Sequence, residues 1–202
     1  MLYRIAHFLR DKFPFVWDLI DIMNFFLFML RYGRKLKAIE PEILQKYASQ
    51  TGLEILRLNE VSAERLERFF AVQPEDAYTF FRPHQFDSKS LRKLQRNHAF
   101  LSYILIDSGE IVAYCFMRSF FNGKAFRGKM VDYRRRNQGI AKQMGLITSE
   151  IAQHLGLRLF GTISKANFSS IKSSEAVNTI RVIEELPNDF LYIEYLPKEK
   201  TI

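Results

Sequence analysis

The stretch VDYRRRNQGIAKQMG, residues 131–145, decides how this chain is read. A strand ends at Val131 and Asp132, a basic turn follows through Arg134, Arg135 and Arg136, and an amphipathic helix is expected over 137–155. Gly139 and the small Ala141 let backbone amides come close to a ligand. The free N–H groups of a helix's first turn, at the positive end of its dipole, form a pocket for anions. Arg134–Arg136 and Lys142 thicken the positive field there. The Gly-Lys-Ser/Thr ending of a Walker A loop is missing, and so is the three-glycine dinucleotide fingerprint. On physical grounds the segment is either a phosphate or diphosphate site or an ordinary basic strand–helix turn.

Working outward, residues 39–50 have helical periodicity with Pro41 suited to a first turn, and LEILRL (53–58) alternates as a strand does. Ser62–Val72 places Leu66, Phe69 and Phe70 on one side of a helix. Residues 73–87 read as an irregular aromatic loop, and Ser88 opens a basic helix reaching about Asn97. FLSYILID (100–107), the Ser108-Gly109 turn and EIVAYCFMRSFF (110–121) form a hairpin, and Asn122-Gly123 turns into a third strand near 124–132. After the helix at 137–155 come a strand at 157–163, a short helix from Asn167 to Ala176, and two closing strands around Pro187-Asn188. The expected fold class is α+β, a mixed and mostly antiparallel sheet flanked by helices.

These residues resemble the GCN5-related N-acetyltransferase (GNAT) superfamily. Its hallmark, Arg/Gln-x-x-Gly-x-Gly/Ala between the fourth strand and the next helix, is matched by Arg136-x-x-Gly139-x-Ala141, with aliphatic Val131 five residues earlier. A second family element, Asn with a small residue three on, is matched by Asn167 and Ser170. The resemblance covers about Leu53 to the C-terminus. It implies that the loop amides of Arg136, Asn137, Gln138, Gly139, Ile140 and Ala141 hold the pyrophosphate of acetyl-coenzyme A. The backbone near Val131 would then hold the pantetheine arm, with Asn167 and Ser170 beside the cofactor. It also implies direct attack of an amine on the thioester, an oxyanion held by a backbone N–H near Val131 or Asp132, and no metal. The chain departs from the family at Tyr133, where proline is common, and at Asp132. Asn178-Thr179 replaces the Gly-Phe that closes the second helix. Ser174 stands where many members have the tyrosine that protonates the departing thiolate. A tyrosine acid at that place is excluded. Ser174 donating to sulfur, water in its stead, and a plain helix serine all remain open.

The loop Phe80-Phe81-Arg82-Pro83-His84-Gln85-Phe86-Asp87 is similar to an aromatic-Pro-His-aromatic segment in acetyltransferases of bacterial surface-sugar pathways. Phe81 and Arg82 offer a ring face and a phosphate partner, and His84 can accept a proton near pH 7. His84 is the first candidate for general base and Asp132 the second.

The N-terminal segment has a different character. FPFVWDLIDIMNFFLFML (13–30) is apolar but for Asp18, Asp21 and Asn24. Two aspartates would each cost about 3 kcal/mol at a bilayer centre, so a spanning helix is disfavoured. A signal peptide is disfavoured too, for want of a small-residue cleavage site. With Asp11, the polar residues fall in one sector, leaving a wide apolar face with basic flanks. Two readings follow for residues 1–38: a helical arm lying on an anionic membrane surface, or one packing on the domain or on a second copy of the chain. Residues 39–202 are expected to form the acyltransferase domain.

Charge and composition fit this division. The 202 residues carry 30 Lys+Arg against 22 Asp+Glu, a net +8. Residues 118–142 alone hold eight cations and one Asp, and residues 1–37 seven cations and three Asp. Zinc-finger spacing, an RNP-like aromatic signature and a long basic helix are all missing, which argues against nucleic acid. One cysteine, Cys115, excludes a disulfide framework and fits a reducing compartment, so a cytoplasmic protein peripheral to the inner membrane face is expected. The expected activity is transfer of acetyl from acetyl-coenzyme A to an amino sugar on a nucleotide or lipid diphosphate, in surface polysaccharide biosynthesis. The alternatives are a protein or peptide amine as acceptor, or an inactive membrane-associated scaffold of the same fold.

Overall fold

The computed structural model describes residues 14–198. Its elements are α1 (Pro14–Thr51), β1 (Glu54–Arg57), α2 (Ala63–Ala71), α3 (Ser88–Gln95), β2 (Phe100–Asp107), β3 (Glu110–Ser119), β4 (Lys124–Val131), α4 (Ile140–Leu155), β5 (Arg158–Ser164), α5 (Phe168–Glu175), β6 (Asn178–Leu186) and β7 (Phe190–Pro197). The strands form one seven-stranded sheet in the order β1-β2-β3-β4-β5-β7-β6. Only β4 and β5 pair in parallel, joined by the α4 crossover; the other neighbours are antiparallel. The α+β reading from the sequence holds, including the turns. Ser108 and Gly109 both take positive φ, as a two-residue hairpin requires, and so do Asn188 and Asp189 between β6 and β7.

Alternation along the strands sends side chains into two cores. On one face Tyr103, Leu105, Ala113, Cys115 and Met117 meet α1 and α4, with Phe28, Tyr32, Leu36, Met144, Ile147 and Ile151. On the other, Ile104, Ile106, Tyr114, Phe116 and Met130 meet Leu66, Phe69 and Phe70 of α2 and Leu91 of α3. Ser62 caps α2 by accepting from the Arg65 N–H, and Asp87 caps α3 by accepting from that of Ser90.

The N-terminal half differs from the sequence reading. No new helix begins at 39; α1 runs 38 residues with Pro41 inside it. A proline there removes one helical N–H, and its ring crowds the preceding turn. The helix continues because packing outweighs that cost: Tyr32 and Leu36 before Pro41, and Ile43, Leu44 and Tyr47 after it, are buried in the same core. Residues expected on either side of a 38/39 boundary thus share one helix. The candidate cations Arg4, Arg10 and Lys12 lie outside the described residues.

Asp21 and Asn24 do not face water as a free amphipathic arm would have them. An Arg118 Nη donates to Asp21 Oδ1 at 2.7 Å. Asn24 Nδ2 donates to Ser119 O at 3.0 Å, and its Oδ1 accepts from the Phe121 N–H at 3.1 Å. The polar side of α1 therefore faces the β3–β4 turn. The opposite stripe is left outside, with Leu19, Ile22, Met23, Phe26 and Leu30 each more than half exposed.

Candidate active site

β4 and β5 pair through only three residue pairs, Lys124–Arg158, Ala125–Leu159 and Phe126–Phe160, and then separate. The wedge between them opens into a cleft of about 820 Å³. Arg127, Lys129 and Val131 line it from β4, and Thr162, Ile163 and Ser164 from β5. The mouth is formed by Arg135, Arg136, Asn137 and Gly139 with the start of α4. Gly128 lets the outer face close: a Cβ there would lie 2.4 Å from Phe116 Cε1 and 3.1 Å from Phe81 Cε2.

The mouth has the local structure of an anion site. Asn137 and Gly139 both adopt left-handed conformations, with φ of 63° and 77°, so α4 starts at Ile140 rather than at 137. The Lys142 and Gln143 N–H groups donate to Gly139 O at 3.0 and 3.2 Å. Among the described residues no backbone carbonyl accepts from the N–H groups of Ile140 or Ala141, which begin the helix at the cleft wall. Arg136 Nη1 lies 3.4 Å from Asp76 Oδ2, an exposed pair of little strength that leaves the guanidinium available.

Across the wedge, Asn167 caps α5, its Oδ1 accepting from the Ser170 N–H at 3.1 Å. The structure therefore brings Val131, Arg136, Asn137, Gly139, Ile140, Ala141, Asn167, Ser170 and Phe81 to one cleft. Gln138 is outside the wall; its Oε1 accepts from Arg135 Nε at 2.9 Å.

The residues expected to do acid–base chemistry are elsewhere. His84 stands among Phe70, Phe86, Phe100, Tyr114 and Phe116. Its Nδ1 is 2.7 Å from the Gln85 carbonyl, which only accepts, so Nδ1 carries the hydrogen. Nε2, 2.8 Å from the Tyr114 hydroxyl, then accepts from it. Burial lowers the His84 pKa, keeping the ring neutral, and its lone pair is already engaged. Arg82 is exposed, with its guanidinium 6.0 Å from the Tyr78 ring centre, and does not reach the cleft.

Asp132 is fully buried as the cap of a 3₁₀ turn. Its carboxylate accepts from the Arg134 N–H at 2.8 Å, from Arg134 Nε at 3.0 Å and from Gln73 Nε2 at 3.1 Å. The hydrogen bonds from Arg134 hold its pKa below the usual carboxylate range, so it is a weak base with no free lone pair aimed at a substrate. Ser174 is also fully buried, its Oγ without a hydrogen-bond partner among the described residues and away from the cleft wall.

The sequence reading passed over the cations of β4. Arg127, 7% exposed, donates to Ser149 Oγ at 3.1 Å and to Asn178 Oδ1 at 3.2 Å, with its guanidinium carbon 3.7 Å from the Tyr195 ring centre. Lys129 Nζ donates to Ser173 Oγ at 2.9 Å and to Ala141 O at 3.2 Å. The signal was present: period-two alternation puts Ala125, Arg127, Lys129 and Val131 on one face of β4, and two of the four are charged.

No protein-family model and no curated protein matches the chain. Solved structures do. The GNAT domain of S. lividans PAT superposes with a TM-score of 0.60 at 15% identity, covering 71% of this chain and 89% of its own. The putative acetyltransferase yncA of Salmonella typhimurium, solved with its cofactor acetyl-CoA, gives 0.57 at 13% identity over 74% and 96%. Mycobacterium smegmatis RimJ in complex with CoA-disulfide gives 0.56 at 18% identity over 70% and 79%. The fold is that of the GCN5-related N-acetyltransferases. At these identities the likeness is one of architecture.

Proposed function

We propose that the protein is an acetyl-CoA-dependent N-acetyltransferase whose acceptor is an amino sugar carried on a nucleotide or lipid diphosphate, in surface polysaccharide assembly. The observation that carries this reading is the continuity of the cleft. Unpaired amides and arginines stand at its mouth, and a narrowing wedge of strand edges leads inward from them. That shape suits a ligand with phosphates at one end and a slender arm ending in a reactive group. Ile140 and Ala141 would present their amides to the pyrophosphate and Arg136 its guanidinium. The exposed backbone of β4 near Val131 would hold the arm in line. Phe80 and Phe81, on the outer wall, offer ring faces to a sugar, and Asp76, lining the same cleft, offers a carboxylate to its amine.

Isothermal calorimetry should give micromolar binding of acetyl-CoA, and thiol release should be faster with amino-sugar nucleotides than with peptide amines. Faster release with peptides would overturn the acceptor class; no binding would overturn the enzyme reading.

The exposed stripe on α1 supports a second part of the reading, placement on an anionic membrane. Leu30 is 77% exposed and Phe26 66%, and one to two turns further on the same helix Arg34, Lys35 and Lys37 are exposed as well. An apolar stripe next to a cationic one matches the boundary between acyl chains and anionic headgroups. Among the described residues no helix is long and apolar enough to cross a membrane, so the contact proposed is with the surface. The full chain should float with vesicles containing anionic lipid and be released at high salt. Ile22→Ser, Phe26→Ser and Leu30→Ser together should abolish flotation without lowering the melting temperature. A salt-independent dimer that the same substitutions dissociate would instead identify a second copy as the partner.

A further inference from the structure

Lys129 has no opposite charge bonded to it among the described residues. Its ammonium lies in the wall of the wedge, between the first turn of α4 and α5, and among the described residues is bonded only to the neutral Ser173 Oγ and Ala141 O. Arg127, two residues deeper on the same face, is likewise satisfied by neutral acceptors. Among the described residues no carboxylate bonds to either cation. The surrounding groups from every packed element are few. Cys115 lies across the pairing on β3, and Tyr195 on β7 stacks on Arg127. Lys142 on α4 and Lys172 on α5 line the same cleft and add positive charge. Burial pushes the Cys115 thiol up to about 12, so it is neutral and supplies no counter-charge. Burying a cation without a counter-charge is costly unless a ligand brings negative charge to it.

The position says where on the ligand that charge should be. With phosphates at the N-terminus of α4, a coenzyme A arm running down the wedge brings its sulfur end toward the three paired rungs. Lys129 flanks that path. Acyl transfer generates one new anion there, the thiolate.

We propose that Lys129 is a catalytic residue, the proton donor to the departing sulfur of the acyl donor. The assignment rests on the acetyl-CoA reading above. In the step, the amine nitrogen bonds to the thioester carbonyl carbon and the C–S bond breaks, its electron pair staying on sulfur. The Lys129 proton passes to sulfur, giving the coenzyme A thiol. The surplus proton on the new amide nitrogen passes to Lys129 Nζ, directly or through one water, restoring the ammonium. Ser173 Oγ and Ala141 O hold Nζ in place between transfers. Burial, reinforced by the neighbouring Arg127, lowers the Lys129 pKa to about 7. A proton held at that value moves readily to a thiolate, whose conjugate acid is ordinarily near about 8.5. The donating form is present below the lysine's pKa and lost as pH rises through it, so kcat should fall on the alkaline side.

The test needs no acceptor. Coenzyme A bound to the full-length protein is titrated by the ultraviolet absorbance of its thiolate, in wild type and in Lys129→Met. An ammonium beside the sulfur favours the thiolate, so the bound thiol should begin to ionise at lower pH in wild type than in the variant, by up to about 1 pH unit, a shift that still leaves the sulfur the stronger base. The variant, which removes a buried charge, should melt no lower than wild type. With acceptor present its kcat should fall about a hundredfold and its alkaline limb disappear. Equal thiol titration in the two proteins, with coenzyme A bound to both, would overturn the role of Lys129 and leave the acetyl-CoA reading intact. Failure of wild type to bind coenzyme A would overturn that reading and the lysine assignment with it.

Discussion

Gly139→Val should raise the Kd for acetyl-CoA about a hundredfold while lowering the melting temperature by only a few degrees. The argument is conformational. Gly139 sits at φ 77°, where a β-branched residue is an outlier, yet a Cβ there would meet nothing within 4 Å. The valine is not crowded out; it is strained, by about 1–3 kcal/mol. The turn relieves that strain by rotating its peptide planes. The amides that follow, Ile140 and Ala141, then lose their aim into the mouth of the cleft. A hundredfold loss corresponds to about 2.7 kcal/mol, the scale of one or two hydrogen bonds to a charged group. A change in Kd below threefold, measured calorimetrically, would mean the phosphates are held elsewhere.

Glu40→Ala should cost about 3 kcal/mol of stability, a fall in melting temperature of about 6–12 °C for a chain of this size. Glu40 is 7% exposed in the middle of α1. Its Oε1 accepts from the Tyr103 hydroxyl at 2.7 Å, and its Oε2 from Arg57 Nε at 2.7 Å. The carboxylate thus ties the helix to both β1 and β2. Tyr103 is fully buried, so removing Glu40 strands its hydroxyl without water. Arg57 is partly exposed and recovers some solvation, which keeps the loss below that of a fully buried ion pair. The double variant Glu40→Ala/Tyr103→Phe should recover part of the loss, because no hydroxyl is then left unpaired. A melting temperature within about 2 °C of wild type for the single variant would show that the packing of α1 needs no polar tie.

These effects fall in regions of unequal legibility. The mouth of the cleft is local: the residues from Arg136 to Ala141 build it within a short stretch of chain, so the turn and the helix start could be read from their spacing. The sheet was legible because period-two alternation and turn pairs such as Ser108-Gly109 act over short distances. What the sequence could not disclose depends on distant partners. Nothing near His84 in sequence says that its lone pair goes to Tyr114, thirty positions on. Nothing near Asp132 says that Gln73 will take one of its oxygens. Both residues have the chemistry of a base, and tertiary contacts give that chemistry to packing and capping. Pro41 misled for the same reason. A local rule places it at a helix start, and the buried residues on both sides carry the helix through it. Lys129 is the opposite case: a charge on the core-facing side of a strand was visible in the alternation, and its surroundings make it a candidate for chemistry.

The three rungs joining β4 to β5 have a practical consequence for handling the protein. The sheet is in effect two sub-sheets, of four strands and of three, whose shared edge is mostly open. A ligand filling that opening touches both and tightens their connection. Any molecule that binds only the folded chain adds RT ln(1 + [L]/Kd) to its stability, about 2.7 kcal/mol at a hundredfold excess over Kd. On the function proposed above that ligand is coenzyme A, so shelf life, protease resistance and crystallisability should improve in buffers supplemented with it.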